Sequence, residues 1–440
     1  MPRDEVARDT IAAVATAPGR GGIGVVRLSG PAVSDIAQRV IGTLPAARHA
    51  TSARFKNDAG EAIDEGIALY FAAPRSYTGE DVLELHGHGG PVVMQMLLGA
   101  CLDAGARLAE PGEFTRRAFL EGKIDLAQAE AVADLIDASS REAARSAVRS
   151  LTGEFSSAVE KLRSGLVELR ALTEAQLDFP EEDVDALHRE DAARRLASVA
   201  AALEDVLARS REGSLLRAGV QVVLAGPPNV GKSSLLNLLA GEARAIVTAI
   251  PGTTRDALRE PIQIDGVPLL VVDTAGLRAS TDEVERLGMA RTQKEVERAD
   301  VVLAVHDASA PAPFPIVLPE GSARINVYNK ADLVPGFAAP PGALGVSAKT
   351  AYGLPELRRA ILRAAGWSAT GESLFLARER HLRALTAAKE HLARATAEKS
   401  RWELFAEELR LAHDELGRIT GTFTADDLLG EIFGRFCIGK

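Results

Sequence analysis

The period of the hydrophobic positions changes along the chain, and each change marks a different kind of element. Over residues 1–120, short apolar runs such as "GIGVVRLSG", "EAIDEGIALYF" and "DVLELHGHGG" sit between glycine turns. They predict the strands of an α/β domain with its own sheet. From 121 to 215, apolar residues recur three and four positions apart in sequence rich in Ala, Leu, Glu and Arg, as in "DLAQAEAVADLIDASSREAARSAVRSL". That spacing predicts long amphipathic helices. The same texture returns over 371–440, in "LARERHLRALTAAKEHLARA" and "FAEELRLAHDELGRIT". Between the helical blocks, over 216–370, buried strands alternate with helices in the manner of a doubly wound parallel sheet. The expected fold is therefore α/β plus α, with a helical domain interrupted by an inserted α/β module. A module whose ends lie close together tolerates insertion of this kind.

Composition narrows the classes of function. A net charge of −10 argues against a general nucleic-acid coater, so any RNA contact must use a local basic patch. Two cysteines, Cys101 and Cys437, are too few for a disulfide framework or a zinc ribbon and suit a reducing cytoplasm. His86 and His88 lack a third ligand at plausible spacing, which argues against zinc. No leader and no apolar run of about 18 residues is visible, so no membrane association is expected.

The inserted module carries the clearest chemistry. The strand "GVQVVLAG" runs directly into "GPPNVGKSSLLNLLAG", where Gly226 to Ser233 match G-x-x-x-x-G-K-S in strand–loop–helix context. Glycines let backbone N–H groups wrap phosphates, and the following helix N-terminus adds a positive dipole. Lys232 is placed to reach the β- and γ-phosphates, and the Ser233 hydroxyl to ligate Mg²⁺. "PGTTRD" then supplies Thr253 and Thr254 in a switch-like loop. The run "PIQIDGVPLLVVDTAGL" reads as a hairpin turning at Asp265–Gly266 and ending in Asp273, with Gly276 free to sense the γ-phosphate. "RINVYNKAD" ends a further strand in Asn329, Lys330 and Asp332, and "VSAK" brings Ser347, Ala348 and Lys349. A carboxylate at Asp332 accepts both N–H groups on the guanine edge, which adenine lacks. These motifs in this order specify GTP.

Two features depart from a Ras-like switch. Leu277 stands where a glutamine would orient the attacking water, so another group must do so. Asp282, Glu283 and Glu285 are candidates, while Arg255 and Arg278 offer no recognisable arginine finger. Asn229 is either a loop-stabilising residue or a neutral oxygen donor to a monovalent cation beside the phosphates.

Taken together, "DTIAAVATAPGRGGIGVVRLSG", "SYTGEDVLELHGHGGP", "EFTRRAFLEGKIDLAQAEAVADLI", the GTPase motifs and the closing "FCIGK" resemble the MnmE (TrmE) family of bacterial tRNA-modification GTPases over essentially the whole chain. The resemblance implies an N-terminal α/β tetrahydrofolate-binding and dimerisation domain over 1–120. It also implies a helical domain in two parts, 121–215 and 371–440, around a Ras-like G domain at 216–370. It implies a homodimer that joins MnmG (GidA), which carries FAD, in a heterotetramer. That complex adds an aminomethyl or carboxymethylaminomethyl group to carbon 5 of the wobble uridine of certain tRNAs. The carbon would come from a folate such as methylene-tetrahydrofolate, with 5-formyl-tetrahydrofolate as a related ligand.

Residue by residue, the resemblance implies GTP contacts at Asn229, Val230, Gly231, Lys232, Ser233 and Ser234 of the P-loop. It adds Thr248, Ala249, Ile250, Pro251, Gly252, Thr253 and Thr254 of the first switch, and Asp273, Thr274, Ala275 and Gly276. Asn329, Lys330, Ala331, Asp332, Ser347, Ala348 and Lys349 complete the base pocket. Mg²⁺ would sit on Ser233 and Thr254, and K⁺ on Asn229, Thr248, Ile250 and Thr253, with Thr248 and Ile250 using carbonyls. Glu285 matches the family's water-orienting glutamate. Ala249 and Pro251 depart from the family pattern, which matters little if carbonyls are the ligands. Folate would use Arg27, Glu84, Lys123 and Lys440, of which Arg27 and Lys123 read equally well as surface charges. A pterin's paired donors suit one carboxylate, and a glutamyl tail suits cations. Cys437 would fold back toward that pocket, as a nucleophile or as packing.

Two other readings compete on the same motifs. A K⁺-activated ribosome-assembly GTPase would carry a basic, sheet-like RNA-binding appendage, which the acidic helical flanks do not resemble. A scaffold timed by GTP would need no cysteine at 437. The stretch Arg194 to Arg217 is either a phosphate path for tRNA or a solvated helix face.

Overall fold

The computed structural model describes residues 9–178, 185–241, 259–273, 299–310, 323–368, 374–398, 401–422 and 426–434, together with 436 and 439. The chain divides into two compact units, residues 1–133 with 420–440, and residues 134–419.

In the first unit, β1 (Ile11–Val14), β2 (Gly21–Ser29), β3 (Thr51–Lys56), β4 (Ala62–Phe71), β5 (Val82–Gly89) and β6 (Arg107–Leu108) form one sheet in the order β3-β4-β5-β2-β1-β6. All its pairings are antiparallel except β1 with β6. Alternation along β2 and β5 sends Val26, Leu28, Leu83 and Leu85 to one face. There α1 (Val33–Ile41) and α2 (Pro91–Asp103) cover them with Ile36, Val40, Met94 and Leu97. The opposite face is left free to carry polar side chains, Arg27 and Glu84 among them.

The helices α3 (Glu113–Leu120) and α4 (Leu126–Ile136) follow. The closing helix, Asp426–Phe433, packs Leu429, Ile432 and Phe433 against Phe119, Leu126 and Ala129. Phe436 joins the same cluster at 7% exposure. Further on, a Cβ at Gly439 would stand 2.4 Å from the carbonyl oxygen of Val14, so Gly439 lies against the end of β1.

The second unit opens with α5 (Arg141–Leu151), α6 (Glu154–Asp178) and α7 (Asp185–Ala218). A six-stranded sheet follows, in the order β12-β11-β10-β7-β9-β8, built from β7 (Val220–Ala225), β8 (Arg259–Ile264), β9 (Val267–Asp273), β10 (Val301–Asp307), β11 (Ala323–Asn329) and β12 (Ala343–Gly345). Only β8 runs antiparallel. The central strands β7 and β10 are buried along nearly their whole length, as expected for parallel strands covered on both faces. The helices α8 (Lys232–Gly241) and α9 (Leu354–Ala364) contribute to its core, and α10 (Glu379–Ala397) and α11 (Trp402–Thr420) come after it in sequence. The α/β plus α class is therefore present, with helices on both sides of the doubly wound sheet in sequence.

The β8–β9 turn falls at Asp265 and Gly266, both left-handed at φ 48° and 84°, which is the geometry that Asp-Gly favours in a two-residue hairpin. Among the described residues no helix is long and apolar enough to cross a membrane.

Candidate functional site

The P-loop is built by the end of β7 and the start of α8. Asn229 and Gly231 take left-handed conformations at φ 63° and 90°, which folds the loop back on itself before Leu235 N bonds to Gly231 O at 2.9 Å. A Cβ at Gly226 would lie 2.3 Å from the Val305 carbonyl of β10, so only glycine lets the loop leave the sheet there. Lys232 is 5% exposed, and its ammonium donates to the carbonyls of Gly226 at 2.9 Å and Pro227 at 2.8 Å. Its charge is thereby held over the loop, where phosphates would take the place of those carbonyls.

Asn329 joins the two halves of the nucleotide site. It is 1% exposed at the end of β11; its amide donates to Val230 O at 2.8 Å and its oxygen accepts from Ala348 N at 3.0 Å. One side chain thus ties the P-loop to the loop holding Ser347, Ala348 and Lys349. Lys330, left-handed at φ 64°, donates to Asn229 O at 2.7 Å and to Asp307 Oδ2 at 2.6 Å. Asp332 stands exposed in the short 3-10 turn Ala331–Leu333. Ser347 is fully buried and caps its own loop, accepting from Thr350 N at 3.2 Å.

Asp307 was not singled out from the sequence, although "VVLAVHDAS" places a carboxylate at a strand end. In the structure it lies level with Asn329 in the β10–β11 register. Burial pushes its pKa up, but the Lys330 ammonium and the hydroxyl and N–H of Ser309 outweigh that and hold it below the ordinary carboxylate value.

Of the residues expected to hold Mg²⁺ and K⁺, only Ser233 and Asn229 lie among the described residues. Ser233 is the second residue of α8, in the sequence position of a P-loop metal ligand. The main-chain oxygen of Asn229 accepts from Lys330, leaving its exposed side-chain amide as the donor available to a cation. The remaining expectations at Thr248, Ala249, Ile250, Pro251, Gly252, Thr253, Thr254, Thr274, Ala275, Gly276 and Glu285 lie outside the described residues, as do the side chain of Asp273 and residues Cys437 and Lys440.

In the first unit, Arg27 and Glu84 face each other across the β2–β5 ladder, and Arg27 Nε donates to Glu84 Oε1 at 2.9 Å. Both are largely but not fully covered, at 19% and 17% exposure. The other Glu84 oxygen meets His86 Nε2 at 3.2 Å. Beneath the guanidinium lie the rings of Tyr77 and Phe114, at 5.7 and 5.9 Å. Burial raises the Tyr77 hydroxyl above its ordinary pKa, against the pull of Thr115 and Arg27. A carboxylate, a guanidinium and an aromatic wall fit a flat heterocycle with paired donors. Lys123 is not part of this pair: it is exposed, and its ammonium donates to Pro74 O at 2.9 Å. His88 binds Asp64 at 2.8 Å.

Known families and proteins match the chain over almost its full length. The MnmE helical domain matches residues 126–437, and the N-terminus of the GTP-binding protein TrmE matches residues 10–123. A tRNA modification GTPase MnmE of Azoarcus sp. (strain BH72) is 61% identical, with 98% of each chain covered. Proteins of the same description from Thiobacillus denitrificans (strain ATCC 25259 / T1) and Neisseria meningitidis serogroup C (strain 053442) are 58% and 57% identical. The first covers 98% of each chain, the second 98% of this chain and 99% of its own.

Proposed function

The chain belongs to the MnmE family of tRNA modification GTPases, and from that premise we propose which chemistry it serves and which residues carry it. It is a GTP hydrolase acting in tRNA modification. The finer reading is that GTP turnover drives addition of an aminomethyl or carboxymethylaminomethyl group to carbon 5 of the wobble uridine, with a folate derivative as one-carbon donor. The chain would act in the cytoplasm as a homodimer with an FAD-carrying MnmG partner. The domain division is 1–120 for folate, 121–215 and 371–440 for the helical part, and 216–370 for the nucleotide.

The observation that carries the nucleotide half of this reading is Asn329, which joins P-loop and base-pocket loop through one buried amide. These two bonds fix the spacing between the phosphate loop and the base-pocket loop. Lys232 faces the β- and γ-phosphates, Asp332 the guanine edge, and Glu285 orients the attacking water. Mg²⁺ would be held by Ser233 and Thr254, and K⁺ by Asn229, Thr248, Ile250 and Thr253. These cations supply positive charge against the charge that develops on the phosphates. For folate, Glu84 would take the pterin donors beside Arg27, with Lys123 and Lys440 toward the glutamyl tail and Cys437 nearby. The placement of Phe436 in the Phe119–Leu126 cluster and of Gly439 beside Val14 supports bringing the C-terminal residues to the first unit.

Calorimetric titration of 5-formyl-tetrahydrofolate into the full chain, into Glu84→Ala and into a chain lacking "FCIGK" tests the folate half. Binding that weakens in both variants is expected; equal binding by all three removes Glu84 and the tail from the site. Nucleoside analysis of tRNA from cells lacking this protein, with and without the restored chain, tests the wobble-uridine half.

A further inference from the structure

We propose that the outer face of α5 is where the phosphate backbone of the substrate tRNA docks. This inference rests on the reading of the chain as a tRNA-modifying protein. Arg141, Arg145 and Arg149 recur every fourth residue, so they share one side of the helix. At about 1.5 Å of rise per residue they stand about 6 Å apart along its axis. Arg141 and Arg145 are exposed and Arg149 half-buried. Among the described residues none of the three has an ion-pair or side-chain hydrogen-bond partner.

That lack of partners sets α5 apart from the other long helices of its unit. On α7, the stretch richest in arginine, Arg194 and Arg195 both bind Asp191, and Arg209 binds Asp205. On α11, Arg410 lies between Glu407 and Asp414. Such residues are already neutralised by their own helix, so a phosphate gains little there. The one acid of α5, Glu142, lies against the tip of the β8–β9 hairpin, where a Cβ at Gly266 would fall 2.4 Å from its carboxylate. The opposite side of α5 is anchored by buried Ala143 and Ala147, which join the core of the sheet. A firmly seated helix thus presents three uncompensated guanidinium groups on a chain of net charge −10. A polyanion is the partner whose charge matches that row, and each phosphate contact releases condensed counterions.

The test measures binding of an unmodified tRNA transcript carrying a wobble uridine to the full chain across a range of salt concentrations. The chains compared are the wild type, an Arg141→Ala/Arg145→Ala/Arg149→Ala variant, and an Arg194→Ala/Arg195→Ala control. Alanine keeps the helix, and unchanged GTP turnover reports that the fold is intact. The α5 variant is expected to bind about tenfold more weakly or worse, with a log–log salt slope shallower by about 1 per arginine. The α7 control should match wild type. Wild-type affinity and slope in the α5 variant overturn the proposal, as does tRNA binding absent from every chain. Normal tRNA binding with modification lost in cells also overturns it, giving the face to a protein partner. A wild-type chain that fails to restore tRNA modification in cells lacking it defeats the underlying reading, and the surface with it.

Discussion

Arg378 donates to Asp134 Oδ1 at 2.8 Å across 244 positions of sequence, and Arg217 reaches the same oxygen at 3.0 Å. Arg217 sits just before β7, where the chain enters the nucleotide-binding sheet, and Arg378 just before α10, after the chain has left it. One carboxylate at the end of α4 therefore holds both strands of the connection. At 7% side-chain exposure it is nearly dry, so both arginines matter to its solvation.

Asp134→Ala is expected to lower stability by about 3–5 kcal/mol, because it leaves the 13%-exposed Arg378 without its counter-ion. Chemical denaturation of the full chain checks this. A midpoint equal to wild type would show that the two arginines find water instead. Nucleotide affinity measured well below the transition should be retained, since Asp134 touches no part of the P-loop.

Asn329→Ala removes the link between P-loop and base loop and leaves Val230 O and Ala348 N unpaired. A lost bond of this kind costs about 1–3 kcal/mol, which bounds the loss of nucleotide affinity at roughly 150-fold. Titration with a fluorescent guanine nucleotide reads the change directly.

The pairing of Asp307 with Lys330 gives a pH signature. The carboxyl lies below its ordinary value of 3.8, so the folded state binds its proton less readily than the unfolded chain. Its contribution is complete above about pH 4 and fades as pH falls through the lower folded value. The stability difference between wild type and Asp307→Asn should therefore be constant at neutral pH and shrink on the acid side. A difference that grew on acidification would contradict the ion pair.

Cys101 is fully buried on α2, and burial alone pushes its thiol up to about 12. In a Cys437→Ser chain, a thiol reagent at pH 8 should label nothing until denaturant is added. Rapid labelling of the native chain would mean that α2 opens.

Glu285→Ala is expected to slow GTP hydrolysis severely while leaving nucleotide binding near normal, and replacing KCl by NaCl at equal ionic strength should depress turnover. Single-turnover assays with and without K⁺ read both. Unaltered hydrolysis in the variant would sink the role given to Glu285, and indifference to the cation would remove the one given to Asn229.

What could be read from the sequence was chemistry confined to neighbouring residues. The P-loop, the Asp265–Gly266 turn and the strand ending at Asn329 are each specified by local backbone geometry, so their spacing along the chain is their structure. The 3.6-residue period likewise marked the helical blocks without reference to what they pack against. Pairings between distant residues were a different matter. Glu84 and Arg27 were named separately, yet that they bind each other depends on the β2–β5 register, where a slip of one residue would turn Glu84 to the opposite face. Asp307 gains its role only because parallel strands β10 and β11 end side by side. Asp134 looked like any acid on an alanine-rich helix until folding brought Arg217 and Arg378 to it. The arginines of α7 have acids three and four positions away on their own helix, Asp191 and Asp205, so their pairing follows from local spacing; on α5 it took the fold to show Glu142 lying against the β8–β9 hairpin. Local geometry depends on residue type and spacing; the ion pairs depend on which surfaces the packed core brings together.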